Sequence, residues 1–225
     1  MESNPLNSIS PIDGRYRNQT EEMSAYFSEA ALMRYRLIVE VEYFISLCQL
    51  PLPQLKNAPS EGFEKLRDVY RNFTDADAEN IKVREKITNH DVKALEYFLK
   101  DKLVEFGYGD FKEFVHFGLT SQDINNTAFP LAIKDAVSKV YLPKMREVLQ
   151  KLTLFSEEWS KVPMLSRTHG QPASPTRLGK EFLVFIERIA NQLSQLSVIP
   201  FSAKFGGATG NFNAHHVAYP EIDWV

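Results

Sequence analysis

Five histidines supply most of the groups able to move a proton near neutral pH: His90, His116, His169, His215 and His216. No two of them stand at the i, i+4 spacing of a helical zinc site, and adjacent His215 and His216 point different ways. With one cysteine and no matching carboxylate spacing, no metal is expected. A Gly-x-Ser-x-Gly elbow does not occur, so a serine hydrolase is unsupported. Gly206-Gly207-Ala208-Thr209-Gly210 lacks the lysine of a phosphate-binding loop and reads as a tight turn packed against a helix.

Three segments stand out: Thr88-Asn89-His90-Asp91, Thr120-Ser121-Gln122-Asp123 and Arg167-Thr168-His169-Gly170-Gln171-Pro172. Each sets polar residues at or near the expected start of a helix, where free N–H groups and the helix dipole attract anions. Brought together, three such ends make a pocket for a polyanion. The plainer reading fits the same spacing: ordinary caps, each histidine a surface or satisfied core residue.

The elements that must position these segments are helical. Ser28 caps a helix whose Leu32, Tyr35, Val39, Tyr43, Phe44 and Leu47 share a stripe, ended by Pro51 and Pro53. Ser60 opens a second helix, and Thr74-Asp75-Ala76-Asp77 has the form of a capping box for a third. Asn89 is the expected cap of the next, with Val92, Leu95, Phe98, Leu99 and Leu103 on its buried face and Gly107 closing it. Thr120–Asp123 repeats the capping-box pattern and opens a tract to about residue 161 that Pro130 and Pro143 kink or divide. Ser174-Pro175 reads as an N-cap followed by a first-turn proline. The helix it opens runs to Ile199, with a seam of Leu178, Phe182, Phe185, Ile189, Leu193 and Leu196; Leu183 and Ile186 widen it to a second face. No strand alternation is sustained. The expected class is all-α, an elongated helical domain followed by the start of a long-helix bundle.

Composition narrows the function classes. The 225 residues carry 26 Lys and Arg against 29 Asp and Glu, a net charge of -3 that argues against a nucleic-acid binder. The longest apolar run, Phe182 to Ile186, is far short of the ~20 residues of a membrane span. A lone cysteine, Cys48, and an N-terminus without signal-peptide features fit a cytoplasmic protein.

The stretch Ile9-Ser10-Pro11-Ile12-Asp13-Gly14-Arg15-Tyr16 opens a series of five blocks. Asn89 to Leu99 forms the second, and His116-Phe117-Gly118 with Thr120-Ser121 and Asp123-Ile124-Asn125-Asn126 the third. Ser166 to Ala173 with Gly179-Lys180-Glu181 forms the fourth, and Gly210-Asn211-Phe212-Asn213-Ala214-His215 the fifth. In this order they resemble the adenylosuccinate lyases of bacterial type, in the fumarase/aspartase superfamily.

The resemblance implies cofactor-free β-elimination of fumarate from adenylosuccinate, giving AMP, and from the succinyl-aminoimidazole ribotide of purine biosynthesis. It implies His169 as general acid and His90, with Asn89 and Asp91, beside the substrate. Thr120 and Ser121 would bind a succinyl carboxylate, and Arg15 and Tyr16 the nucleotide phosphate. It further implies a homotetramer, an N-terminal domain over 1–118 and the first part of a central bundle over 119–225. The family's catalytic serine lies on a Ser-Ser-x-Met-Pro-x-Lys-x-Asn-Pro loop that these 225 residues do not contain. An N-terminal portion with little activity of its own is therefore expected, its base lying beyond Val225. A non-catalytic helical scaffold and a superfamily relative such as argininosuccinate lyase are the alternatives, Arg15 and Tyr16 speaking against the latter. For His215 a structural role is expected.

Overall fold

The structure is a computed structural model that describes residues 5–224. In chain order its helices are α1 (Arg17–Thr20), α2 (Ser24–Phe27), α3 (Glu29–Gln49), α4 (Phe63–Arg71), α5 (Asp75–Thr88) and α6 (Asp91–Glu105). After these come α7 (Ser121–Ala136), α8 (Leu142–Glu158), strands β1 (Pro163–Thr168) and β2 (Gln171–Arg177), then α9 (Leu178–Ser197) and α10 (Asn213–Ala218). The fold is all-α apart from that one hairpin. No described helix is long and apolar enough to cross a membrane. Two compact units form, Met1–Lys134 with Ser202–Val225, and Asp135–Phe201.

In the first unit α3 is the central helix. Ser28 caps it, its hydroxyl accepting the Ala31 N–H at 3.1 Å. Leu37, Val41, Phe44 and Ile45 pack with Leu66 and Val69 of α4, Ile81 of α5, and Leu95, Phe98 and Leu99 of α6. Another side of α3 presents Tyr35 and Val39 to Val92, Ile124, Ala128 and Ala132. A helix with partners on several sides is apolar well beyond one stripe. The tail returns to this unit: Trp224 is buried with Leu47, Leu52 and Leu55, and Phe212 and Tyr219 pack beside them.

One expected cap in this unit needs correction. Asn89 does not start α6; it ends α5 in the left-handed region at φ 55°, and His90 is the cap of α6. Asparagine suits both positions, and here its tolerance of positive φ prevails. The Thr74 box is present in full, with Asp77 returning a bond to the Thr74 N–H at 2.9 Å.

The second unit corrects the reading of 163–177. Ser174-Pro175 is not a helix start but lies within β2, with Pro175 opposite Leu165, and α9 begins at Leu178. A two-stranded ribbon has two edges, so prolines that a central strand would reject are accepted. Both strands are largely exposed, which removes the apolar alternation that would reveal them. Gly179 allows close approach of α9 to the end of α8, its N–H donating to the Trp159 carbonyl at 3.0 Å. Phe182 packs on Trp159 and Phe155, which stack at 4.7 Å. Along α9, Ile186 joins the half-buried seam while Phe185 is 55% exposed and Leu183 52%, reversing the expected places of Phe185 and Ile186.

Candidate functional site

The site begins where α5 turns into α6. With Asn89 left-handed, His90 is extended (φ −153°) and its Nδ1 accepts the Lys93 N–H at 3.1 Å. A nitrogen that accepts carries no proton, so the neutral ring holds its proton on Nε2. That nitrogen lies 3.4 Å from the Ser121 hydroxyl at the start of α7. The half-exposed imidazole is thus aimed by one bond and directed at the next helix start.

Asp91 fixes this helix end from beneath. Its carboxylate accepts the Val92 N–H at 2.9 Å and pairs with buried Arg36 of α3 at 2.7 Å. Arg36 Nε donates to Asn125 of α7 at 2.9 Å, so one guanidinium ties three helices. Burial pushes the Asp91 carboxyl up, but the Val92 N–H and Arg36 more than offset it and hold it below the usual range. Its oxygens are committed to the scaffold.

The turn before α7 is determined at several points. His116 adopts φ 61° and Gly118 φ 67°. His116 Nδ1 lies 2.6 Å from Glu40, which is fully buried on α3, and the Tyr43 hydroxyl lies 2.7 Å from the Phe117 carbonyl. The Thr120 N–H and hydroxyl both donate to Asp123 Oδ2, at 2.7 and 2.9 Å. Non-glycine residues at positive φ persist where surrounding contacts over-determine them. Of the pair singled out in the sequence, Thr120 has its N–H and hydroxyl engaged internally. Ser121 keeps its hydroxyl toward His90, and the Ser121 and Gln122 N–H groups have no acceptor among the described residues.

Burial holds the Glu40 carboxyl above its ordinary range despite His116. Burial would lower His116, but its bond to Glu40 outweighs this and raises it. His116 Nε2 is 3.8 Å from Glu96, which accepts from Lys93 Nζ at 2.6 Å. His215 is buried, with Nε2 2.7 Å from the Tyr43 hydroxyl and its ring among Phe117, Phe212 and Trp224, in keeping with a structural role.

The remaining candidates are Arg15, Tyr16 and His169. Arg15 and Tyr16 are exposed, the guanidinium 5.5 Å above the tyrosine ring, with no bond to the His90–Ser121 group among the described residues. His169 belongs to the second unit and does not precede a helix. His169 and Gly170, at φ 51° and 76°, link β1 to β2, a two-residue turn with both φ positive. Such a turn projects the imidazole from the hairpin tip into solvent.

A family model described as Lyase matches residues 14–224. The chain belongs to this lyase family. Among curated relatives of this chain, adenylosuccinate lyase from Dictyostelium discoideum is 53% identical over 100% of this chain and 50% of its own length. The enzyme of that name from Legionella pneumophila is 48% identical over 97% of this chain and 48% of its own, and that of Escherichia coli 39% over 100% and 50%. The chain spans about half the length of the curated relatives it matches. Among solved structures, a fumarate lyase from Mesorhizobium sp. BNC1 superposes with a TM-score of 0.68 at 22% identity, covering 86% of this chain and 44% of that one. A 3-carboxy-cis,cis-muconate lactonizing enzyme from Pseudomonas putida does so with 0.66 at 18%, covering 88% and 44%. These share the fold.

Sequence reasoning missed three groups in this chain: Arg36 with Asn125, Glu40 opposite His116, and Lys204. The first two face the site from mid-helix, where a charged residue inside an apolar helix was the available signal. Lys204 bonds Asp123 across 81 residues, and no local spacing announces that.

Proposed function

We propose that this chain carries part of the active site of an adenylosuccinate lyase, which eliminates fumarate from adenylosuccinate and from the related succinyl-aminoimidazole ribotide. The observation that carries the reading is the Ser121 start of α7, with a hydroxyl and two free N–H groups beside the Nε2 face of His90. Hydroxyl, N–H and helix dipole together suit a carboxylate. The relatives named adenylosuccinate lyase, 39–53% identical, supply the chemistry.

In the proposed reaction a base removes the proton on the carbon next to a succinyl carboxylate. Charge builds on that carboxylate, where preorganised donors act most strongly. The C–N bond then breaks, its electron pair leaving with the purine nitrogen, which takes a proton from His169 acting as general acid. Ser121 and the α7 start hold the carboxylate, and His90, with its acceptor nitrogen tied to Lys93, serves as an Nε2–H donor rather than as the base. Asn89, Asp91 and Thr120 shape the two helix ends. Arg15 and Tyr16 take the nucleotide phosphate. The base is a serine on a loop outside these 225 residues. In the whole enzyme, a cytoplasmic homotetramer, residues 1–118 form the N-terminal domain and 119–225 the first part of the central bundle.

Titration calorimetry with fumarate tests the reading. Binding by the native chain that Ser121→Ala and His90→Ala each weaken is expected. Absence of native binding, or full binding by Ser121→Ala, overturns it.

A further inference from the structure

Behind the Thr120–Ser121 turn sits a buried carboxylate. Asp123 has no exposed surface and lies in the first turn of α7, two residues after Ser121. An anion there would repel a second anion bound at Ser121, and at short range in a partly desolvated site that repulsion is large. The structure balances it. Lys204 Nζ donates to Asp123 Oδ1 at 2.7 Å, and the Gly206 and Gly207 N–H groups donate to the same oxygen at 3.1 and 3.2 Å. Thr120 saturates Oδ2 with two bonds. Five donors therefore converge on one carboxylate, three on Oδ1 and two on Oδ2. Burial pushes the Asp123 carboxyl up, yet Lys204 and Thr120 more than offset it and hold it ionised.

The glycine-rich loop thus acquires a defined part. Gly206 and Gly207 have φ of 134° and 83°, conformations that turn successive N–H groups toward one point, a small anion-binding nest. Its anion is internal: the nest is filled by Asp123 and is not a phosphate site. A Cβ on Gly207 would lie 3.3 Å from the Gly118 carbonyl, so the loop abuts the same turn that Asp123 grips. Lys204 also bonds the Gly207 carbonyl, closing the loop on itself. Side chain, loop and helix start form one charge-neutral clamp.

We infer that Lys204 is a positioning residue for the dicarboxylate site: by neutralising Asp123 and drawing Gly206 and Gly207 onto it, Lys204 lets the α7 start present an uncancelled positive end to the substrate. This rests on the proposed function above. Loss of Lys204 alone leaves a buried negative charge behind Ser121. Loss of Asp123 alone leaves a positive one. Loss of both restores neutrality but not the hydrogen bonds.

The test follows from that asymmetry. Fumarate affinity is measured by calorimetry for the native chain, Lys204→Met, Asp123→Asn and the double variant, beside urea stability for each. Lys204→Met is expected to bind about tenfold more weakly. Asp123→Asn holds or improves affinity, and the double variant returns toward native affinity although all three are less stable than native. Lys204→Arg, which keeps the charge, retains binding. A merely structural clamp would make affinity follow stability in every variant, and that result overturns the inference. So does unchanged affinity in Lys204→Met where the native chain binds; a native chain that takes no fumarate overturns the functional reading as well. Hydrogen exchange on the unliganded chain gives a readout independent of substrate. In Lys204→Met the Thr120, Gly206 and Gly207 amides are expected to lose protection together, and loss confined to the glycines refutes the clamp.

Discussion

Gly118→Ala tests how tightly the turn before α7 is held. Gly118 has φ 67°, and a Cβ built there would lie 2.5 Å from His215 Cε1, with both ring nitrogens within 2.8 Å. An L-residue in the left-handed region costs about 1–2 kcal/mol. His215 cannot step aside cheaply, since it is fully buried and set against the Tyr43 hydroxyl at 2.7 Å. Forcing it to move is overpacking, worth about 1–3 kcal/mol. Gly118→Ala is therefore expected to lose about 2–5 kcal/mol in all. Gly107 is the matched control in the same unit: its φ is 85°, but nothing lies within 4 Å of an added Cβ, so Gly107→Ala should lose only about 1–2 kcal/mol. Urea unfolding is followed by Trp224 fluorescence in a Trp159→Phe background, because Trp224 contacts the His215 ring at 4.8 Å. Equal destabilisation by the two alanines would refute the close fit of Gly118 against His215 and the over-determination of the turn.

Other expectations concern neighbouring groups. Glu40 and His116 both have raised folded values, so each stabilises the first unit while protonated, below the unfolded values of about 4.3 and 6.5, and that stability is lost as pH rises through the folded ones. Urea midpoints should fall as pH rises from about 4.3, through Glu40 and then His116, and the doubly neutral Glu40→Gln/His116→Gln variant should flatten that slope; an unchanged slope rules the pair out as its source. Asp91→Asn leaves buried Arg36 without its counter-ion. Because Asp91 is half exposed, the loss should be about 1–3 kcal/mol rather than the ~3–5 of a fully buried pair, and a smaller loss means Arg36 has found another anion. Leu183 and Phe185 leave α9 with an uncovered apolar face, so the chain should self-associate in sedimentation velocity and Leu183→Lys/Phe185→Lys should not; a monomeric native chain contradicts this. Because these residues lack the Ser-Ser-x-Met-Pro loop, the 225-residue polypeptide should release no fumarate from adenylosuccinate, and steady release would contradict the assignment of the base.

Much of the helical frame was legible because its signals are local. The Ser28 cap, the Thr74 box and Gly107 in its left-handed place after α6 each depend on residues within one or two turns. Where two local readings compete, the sequence misleads. Asn89 is as good a C-terminal residue as an N-cap, and Ser174-Pro175 carries the mark of a helix start while its backbone pairs with β1. His169-Gly170 lacks the asparagine that usually announces a two-positive-φ turn, so the hairpin went unread. The chemistry-bearing types at His90 and Ser121 were visible, and the two side chains meet at 3.4 Å. The supports were not: Arg36, Glu40 and Lys204 act across tertiary contacts of 55, 76 and 81 residues, and no periodicity encodes such pairings.

A crystal structure of the chain soaked with fumarate bears most directly on the central claim, that the α7 start and His90 together hold a dicarboxylate. The account predicts a carboxylate within hydrogen-bond distance of the Ser121 hydroxyl and of the Ser121 or Gln122 N–H, with His90 Nε2 donating to the ligand. Fumarate seated away from Ser121, with His90 Nε2 left facing solvent, would contradict it.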